Sequence, residues 1–305
     1  HEHRVHELAT RGNALPTASQ LTRRRTKFSN VRISATLGVG VGVDDALADE
    51  PGLARWQDRL NVVQKRIGHG CNCNRPTPDL IELHNFGSEP VDLAGMGLTD
   101  NAQQPYKYEF PVGTRLEPGS FLTLRAGSPT GYTPLTTGFA LKQEGDDLSL
   151  FDTPARGGKI LDAVHFGLQI DDMSIGRLAD GAWGLCRPTF GASNAPHSMG
   201  DPYQVRINEW LADAQFIGRN DFIELFNPDS LPVAIGGWFL SDAAGSPARH
   251  TIAPLTYIPA RGHAEFIADG DSGQGPNHLA FKLSPDIGII RLSDAFLETV
   301  DVVNY

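Results

Sequence analysis

The chain repeats itself, and that repeat limits its architecture more than any other feature. Asp79-Leu80-Ile81-Glu82-Leu83-His84-Asn85 returns as Asp221-Phe222-Ile223-Glu224-Leu225-Phe226-Asn227, an offset of 142 residues. The offset holds onward: Pro90-Val91 meets Pro232-Val233, Gly95 meets Gly237, Leu98 meets Leu240, and Asp100 meets Asp242. Phe139 and Leu141 still align with Phe281 and Leu283. Near the end the offset slips to 139, where Asp162-Ala163-Val164-His165-Phe166 meets Asp301-Val302-Val303-Asn304-Tyr305. Ordered matches that mix apolar, Gly, Asp and Asn positions imply two copies of one unit.

Each copy reads as short strands. Ile81 and Leu83 share one face, as do Ile223 and Leu225, because side chains alternate along a strand. Asn85-Phe86-Gly87-Ser88 and Asn227-Pro228-Asp229-Ser230 are turn clusters. Strands are predicted at 91–93, 106–110, 121–125, 148–151 and 160–165, and in the second copy at 233–235, 264–268, 288–292 and 299–303. A kink or bulge is expected at Gly95 and Gly237. The 33 Gly and 21 Pro of the chain suit such punctuation. The fold class is therefore all-β, two tandem sandwiches. The expected division is an N-terminal segment of low order at 1–75, a first sandwich at 76–195 and a second at 203–305, with a linker at 195–203. The best helical pattern lies outside both copies, at 51–63, where Leu53, Trp56, Leu60 and Val63 recur.

Ile207-Asn208-Glu209, then Asp221 to Asn227, then Gly237-Trp238-Phe239-Leu240-Ser241-Asp242, resembles the lamin tail domain. Phe281-Lys282-Leu283 and the closing Val300-Asp301-Val302-Val303 belong to the same pattern. The resemblance implies an immunoglobulin-like sandwich of the kind found in nuclear lamins and in bacterial secreted or surface proteins. It supplies no catalytic residues. The first copy continues into Phe166-Gly167-Leu168-Gln169, Ser174-Ile175-Gly176-Arg177 and Pro188 to Asn194, a tail similar to that of large bacterial multi-domain proteins.

The first copy departs from the pattern in two places. No opening Ile-Asn-Glu strand is recognisable at 63–74, and Met96-Gly97 stands where the second copy has Trp238-Phe239, which predicts a less well filled core. The chain opens on His1, without a leader pattern, and Tyr305 is the counterpart of Phe166. These features suggest a fragment of a longer product. Because the pattern starts near Asp79, residues 1–75 are also weighed as foreign to the native reading frame.

The repeated polar residues have structural readings. Glu82 and Glu224 lie opposite the apolar face and are expected to be solvated or turn-bonding carboxylates, with a catalytic pair as the alternative. Asn85, Asn227, Asp100 and Asp242 sit at turn signals, where such side chains bond nearby backbone N–H groups. His69, Cys71 and Cys73 form a weak start to a metal site, because zinc sites favour wider cysteine spacing. Asp269, Asp271 and Asn277 are weak calcium candidates, since calcium takes oxygen ligands; a flexible Gly-rich loop is the alternative. No other cofactor is expected. The basic run Arg23-Arg24-Arg25-Thr26-Lys27 reads as a solvated arm, and Gly38–Val43 as a weak strand or filler.

Net charge is uneven. Residues 1–78 carry 12 Lys/Arg against 7 Asp/Glu, so with a total of −10 the remainder carries about −15. That acidic part disfavours nucleic acid as a partner. No run approaches the roughly 18 apolar residues of a membrane helix. Cys71, Cys73 and Cys186 do not describe a disulfide framework. The function expected is non-catalytic: a binding or scaffolding segment of a larger secreted or cell-surface bacterial protein, with protein or polysaccharide partners. The alternative is an accessory segment of a secreted hydrolase, nuclease or spore-coat-kinase-like protein whose catalytic domain lies elsewhere.

Overall fold

The computed structural model describes residues 79–127, 135–214 and 220–305. The helical pattern at 51–63, the basic run at 23–27, the Gly38–Val43 stretch and the His69/Cys71/Cys73 group lie outside the described residues. Within them the chain is all-β, two immunoglobulin-like sandwiches, with short 3₁₀ turns at Pro154–Arg156 and Pro202–Gln204. No helix among the described residues is long and apolar enough to cross a membrane.

The first sandwich runs β1 (Asp79–His84), β2 (Val91–Asp92), β3 (Gly97–Thr99), β4 (Tyr108–Glu109), β5 (Arg115–Leu116), β6 (Phe121–Ala126), β7 (Asp146–Phe151) and β8 (Ile160–Phe166). An annex comes next, β9 (Ser174–Arg177), β10 (Trp183–Arg187) and β11 (Ala195–Pro196). The second sandwich runs β12 (Arg206–Leu211), β13 (Phe222–Phe226), β14 (Val233–Ala234), β15 (Phe239–Ser241), β16 (His250–Thr251), β17 (Tyr257–Ile258), β18 (His263–Ile267), β19 (Ile289–Ser293) and β20 (Thr299–Asn304).

All named ladders are antiparallel. One layer of each sandwich is a four-stranded sheet, ordered β4-β3-β7-β8 and β16-β15-β19-β20. The other contains β1-β6 in the first and β12-β13-β18 in the second. Alternation does what the sequence predicts. Ile81, Leu83, Leu98 and Leu148 are buried in one core, and Ile223, Leu225, Leu240 and Ile290 in the other. Phe139/Leu141 and Phe281/Leu283 close corresponding positions in the two cores. Each fully buried aliphatic or aromatic side chain contributes about 1.5–3 kcal/mol by leaving water.

The slip in offset has a local cause. The β7–β8 and β19–β20 hairpins both carry a bulge at matching positions, Leu150/Phe151 and Leu292/Ser293. Their connections differ: residues 152–159 in the first and 294–298 in the second, three residues shorter. The longer one holds the Pro154–Arg156 turn. In the shorter one Asp294 Oδ1 accepts from the N–H groups of Phe296 and Glu298, both at 2.9 Å.

The departure at Met96-Gly97 begins inside the first core. Met96 is fully buried there, as Trp238 is nearly so in the second. The missing ring at Gly97 is replaced from the neighbouring connection. Tyr106 lies against Gly97, so closely that an added Cβ would sit 2.6 Å from its ring and 2.3 Å from the Pro105 carbonyl oxygen. Its hydroxyl donates to the Asp152 carbonyl at 2.8 Å. The second sandwich carries the exchange in reverse, Phe239 with Ala248 at the position matching Tyr106. Gly97→Ala is therefore expected to lower stability by about 1–3 kcal/mol through overpacking, measured by equilibrium urea unfolding.

Candidate functional site

Two fully buried asparagines shape the loop ends. Asn85 Nδ2 donates to the carbonyls of Glu89 (2.8 Å) and Leu116 (3.0 Å), and its Oδ1 accepts from Gly87 N–H at 2.9 Å. Asn227 repeats the set with Leu231 (2.9 Å), Pro259 (3.0 Å) and Asp229 N–H (2.9 Å). An amide suits the task because it offers two donors and an acceptor from one short side chain.

Asp100 and Asp242 do something other than expected. Each pairs with a cation seven residues on: Lys107 Nζ at 2.6 Å and Arg249 Nη1 at 2.5 Å. The turn-bonding role belongs to their neighbours. Thr99 Oγ1 accepts from Asn101 N–H at 2.9 Å, and Ser241 Oγ accepts from Ala243 N–H at 3.0 Å. Both the cation and the hydroxyl recur at offset 142, so the repeat itself carries the signal for these pairs.

Glu82 is likewise not solvated. It is fully buried, with Oε2 accepting from Gly191 N–H at 2.8 Å and from Thr123 Oγ1 at 3.2 Å. Burial raises its pKa, opposed by these two hydrogen bonds. The cause is the annex, which covers the outer face of β1. Glu224, without such a cover, is half-buried and accepts from Asn208 Nδ2 at 2.7 Å. The two carboxylates share no hydrogen-bond partner and form no acid–base pair.

The calcium candidates come together only in part. Asp269 Oδ1 accepts from Asp271 N–H at 3.0 Å, and Oδ2 meets Gln274 Nε2 at 3.0 Å and His278 Nδ1 at 2.7 Å. Asp271 accepts from Gly273 N–H at 3.2 Å and Gln274 Nε2 at 3.3 Å. The Asn277 backbone carbonyl accepts from Ile267 N–H at 2.8 Å. The carboxylate oxygens of Asp269 are thus already engaged by the loop's own donors.

A polar cleft of about 720 Å³ lies between the sandwiches. One wall carries Asp100, Lys142, Asp146, Asp147 and His165; the other carries Arg249, His250, Thr251 and the 272–276 loop. Burial raises the pKa of Asp146, with the Asp100 carboxylate adding to it, while the N–H groups of Asp147 and Lys142 hold it down. His165 Nδ1 lies 2.9 Å from Asp147 Oδ1, and this hydrogen bond raises the imidazole pKa against an opposing effect of burial. Burial lowers that of His250. Arg249 also lies over the Phe281 ring, 5.6 Å from its centroid. Such a surface offers fixed donors and acceptors of both signs, suited to orienting a polar partner.

Residues 62–167 match the family model of the Lamin Tail Domain, an immunoglobulin-like fold. No curated protein and no solved structure matches the chain. The match begins upstream of Asp79, where the residue string alone placed the start of the pattern. Residues 62–75 therefore carry the family pattern in frame with the first sandwich, which removes them from the stretch weighed as foreign.

Two outcomes are expected. Asn227→Ala leaves three partly buried backbone groups without their partner and lowers stability by about 2–3 kcal/mol in urea unfolding. His165, its pKa raised in the folded state, stabilises fully below its unfolded value, and that contribution fades as pH rises through the folded value. Because the pair is partly exposed, the energetic effect is small. NMR titration is expected to place His165 above its ordinary 6.5, and Asp147→Asn to return it toward that value.

Proposed function

We propose that the chain is a non-catalytic binding or scaffolding segment of a larger secreted or cell-surface bacterial protein, acting through protein or polysaccharide contacts. In this reading the second sandwich, at 203–305, is a further lamin-tail-like module beside the first at 76–195. The observation that carries the reading is the use made of the shared polar residues. Asn85 and Asn227 each tie their own turn to a second strand connection, and Thr99/Ser241 and Asp100/Asp242 are engaged within seven residues of themselves. They hold loops in fixed shapes, so these repeated polar groups are engaged in structure, which suits display on a rigid scaffold. The lamin-tail match over the first sandwich supports the same assignment. The oxygen-rich loop at 269–277 is internally braced, so calcium is not required for its shape. The acidic balance beyond residue 78 favours partners other than nucleic acid.

The cleft between the sandwiches is the contact surface of choice, because it combines concavity with fixed polar groups. The immobilised full chain is expected to show saturable capture from a panel of purified surface proteins and polysaccharides. Asp146→Asn combined with Arg249→Gln should weaken that capture at least tenfold, with some loss of melting temperature because Arg249 also pairs with Asp242. Lys142→Gln, at an exposed position on the cleft wall, should weaken it several-fold at an unchanged melting temperature. Turnover of ester or phosphodiester substrates without any saturable capture would overturn the reading.

A further inference from the structure

The 195–203 stretch looks like the link between the sandwiches, but the physical junction is made elsewhere. Leaving β8 at Phe166, the chain lays a three-residue strap on the second sandwich. Gly167 N–H donates to the Pro254 carbonyl at 2.9 Å, and the Leu168 carbonyl accepts from Tyr257 N–H at 3.0 Å. Gln169 Nε2 donates to the Leu255 carbonyl at 2.9 Å. The fit leaves no room at Gly167: an added Cβ would lie 2.0 Å from Thr256 Oγ1.

Side chains cross the junction in both directions. Leu168, which belongs to the first sandwich's tail, packs against the second core. Tyr257, on β17 of the second sandwich, is only 5% exposed and sits in the first core, with Leu255 packed against the same cluster. The Tyr257 phenol forms a hydrogen bond with the Leu185 backbone, on β10 of the annex, and burial pushes its pKa up to about 12.

The repeat isolates what is peculiar to this junction. At offset 142, Leu255 corresponds to Gly113 and Tyr257 to Arg115. Gly113 has φ +86° and Leu255 has φ +54°, so the same left-handed turn is kept with a residue that tolerates it poorly. A leucine in that conformation needs a compensating interaction, and packing on the first core supplies it. Arg115 instead faces solvent, ion-paired with Glu117. The apolar residues at 255 and 257 therefore answer to the other sandwich and not to their own.

We infer that the two sandwiches form one cooperative unit of fixed mutual orientation, each completing the other's core, so that the cleft between them is held at a set width before any partner arrives. This stands whether or not the cleft is the contact surface. Two beads on a flexible link would give the cleft no defined shape; the strap and the crossed side chains remove that freedom.

The test uses the full chain with 5-fluorotryptophan and ¹⁹F NMR in urea. Trp183 reports on the first core and Trp238 on the second. Both signals are expected to change at one common midpoint. Tyr257→Ala should lower both midpoints together, by about 1–2 M urea. Leu240→Ala, inside the second core, should carry the Trp183 midpoint down with that of Trp238. Should Tyr257→Ala fail to fold, Tyr257→Phe keeps the ring, loses only the bond to Leu185 and gives a smaller shared shift. Separate midpoints, or a Leu240→Ala effect confined to Trp238, would overturn the inference.

Discussion

A single buried carboxamide closes each sandwich. Where β1 turns toward β2, and β5 toward β6, backbone carbonyls enter the interior and need donors that no ladder provides. Asn85 and Asn227 supply them, drawing two strand connections onto one side chain. The surrounding apolar faces can then pack without an unpaired polar group between them. The short β2–β5 and β14–β17 ladders lie beside these corners.

Charge is handled differently by the two sandwiches, and the annex is the reason. Arg177 on β9 pairs with Asp162 on β8 at 2.5 Å and lies over the Trp183 ring, 4.6 Å from its centroid. Burial raises the Asp162 pKa despite the nearby guanidinium. A pair so placed contributes little net stability, since desolvation offsets attraction; its value is positional, fixing the annex on the first sandwich. The matching Asp301 meets no arginine and instead accepts from Ile207 N–H at 2.8 Å, tying β20 to β12. One repeated position thus serves an added segment in one case and the sandwich's own edge in the other.

Much of the fold was legible because it depends on local period. Alternation at Ile81/Leu83 and Ile223/Leu225 places these residues in the cores whatever the remainder does. The turn role of Asn85 and Asn227 was readable from their place beside Gly, Pro and Ser. Glu82 was not readable. A carboxylate opposite an apolar face should meet water, and only the annex, about a hundred residues downstream, covers it. Asp100 and Asp242 failed for a related reason: their partners lie seven residues on, outside the short range over which turn chemistry is judged.

The sequence by itself determined the strands, their inward faces and the duplication, because periodicity and repeat spacing are properties of the chain alone. Tertiary structure alone decided which core each side chain serves. Tyr257 and Leu255 sit in a β-strand and turn like any others, yet their burial comes from a neighbour beyond their own sandwich. No local pattern encodes that destination, since it depends on where two separately patterned bodies meet.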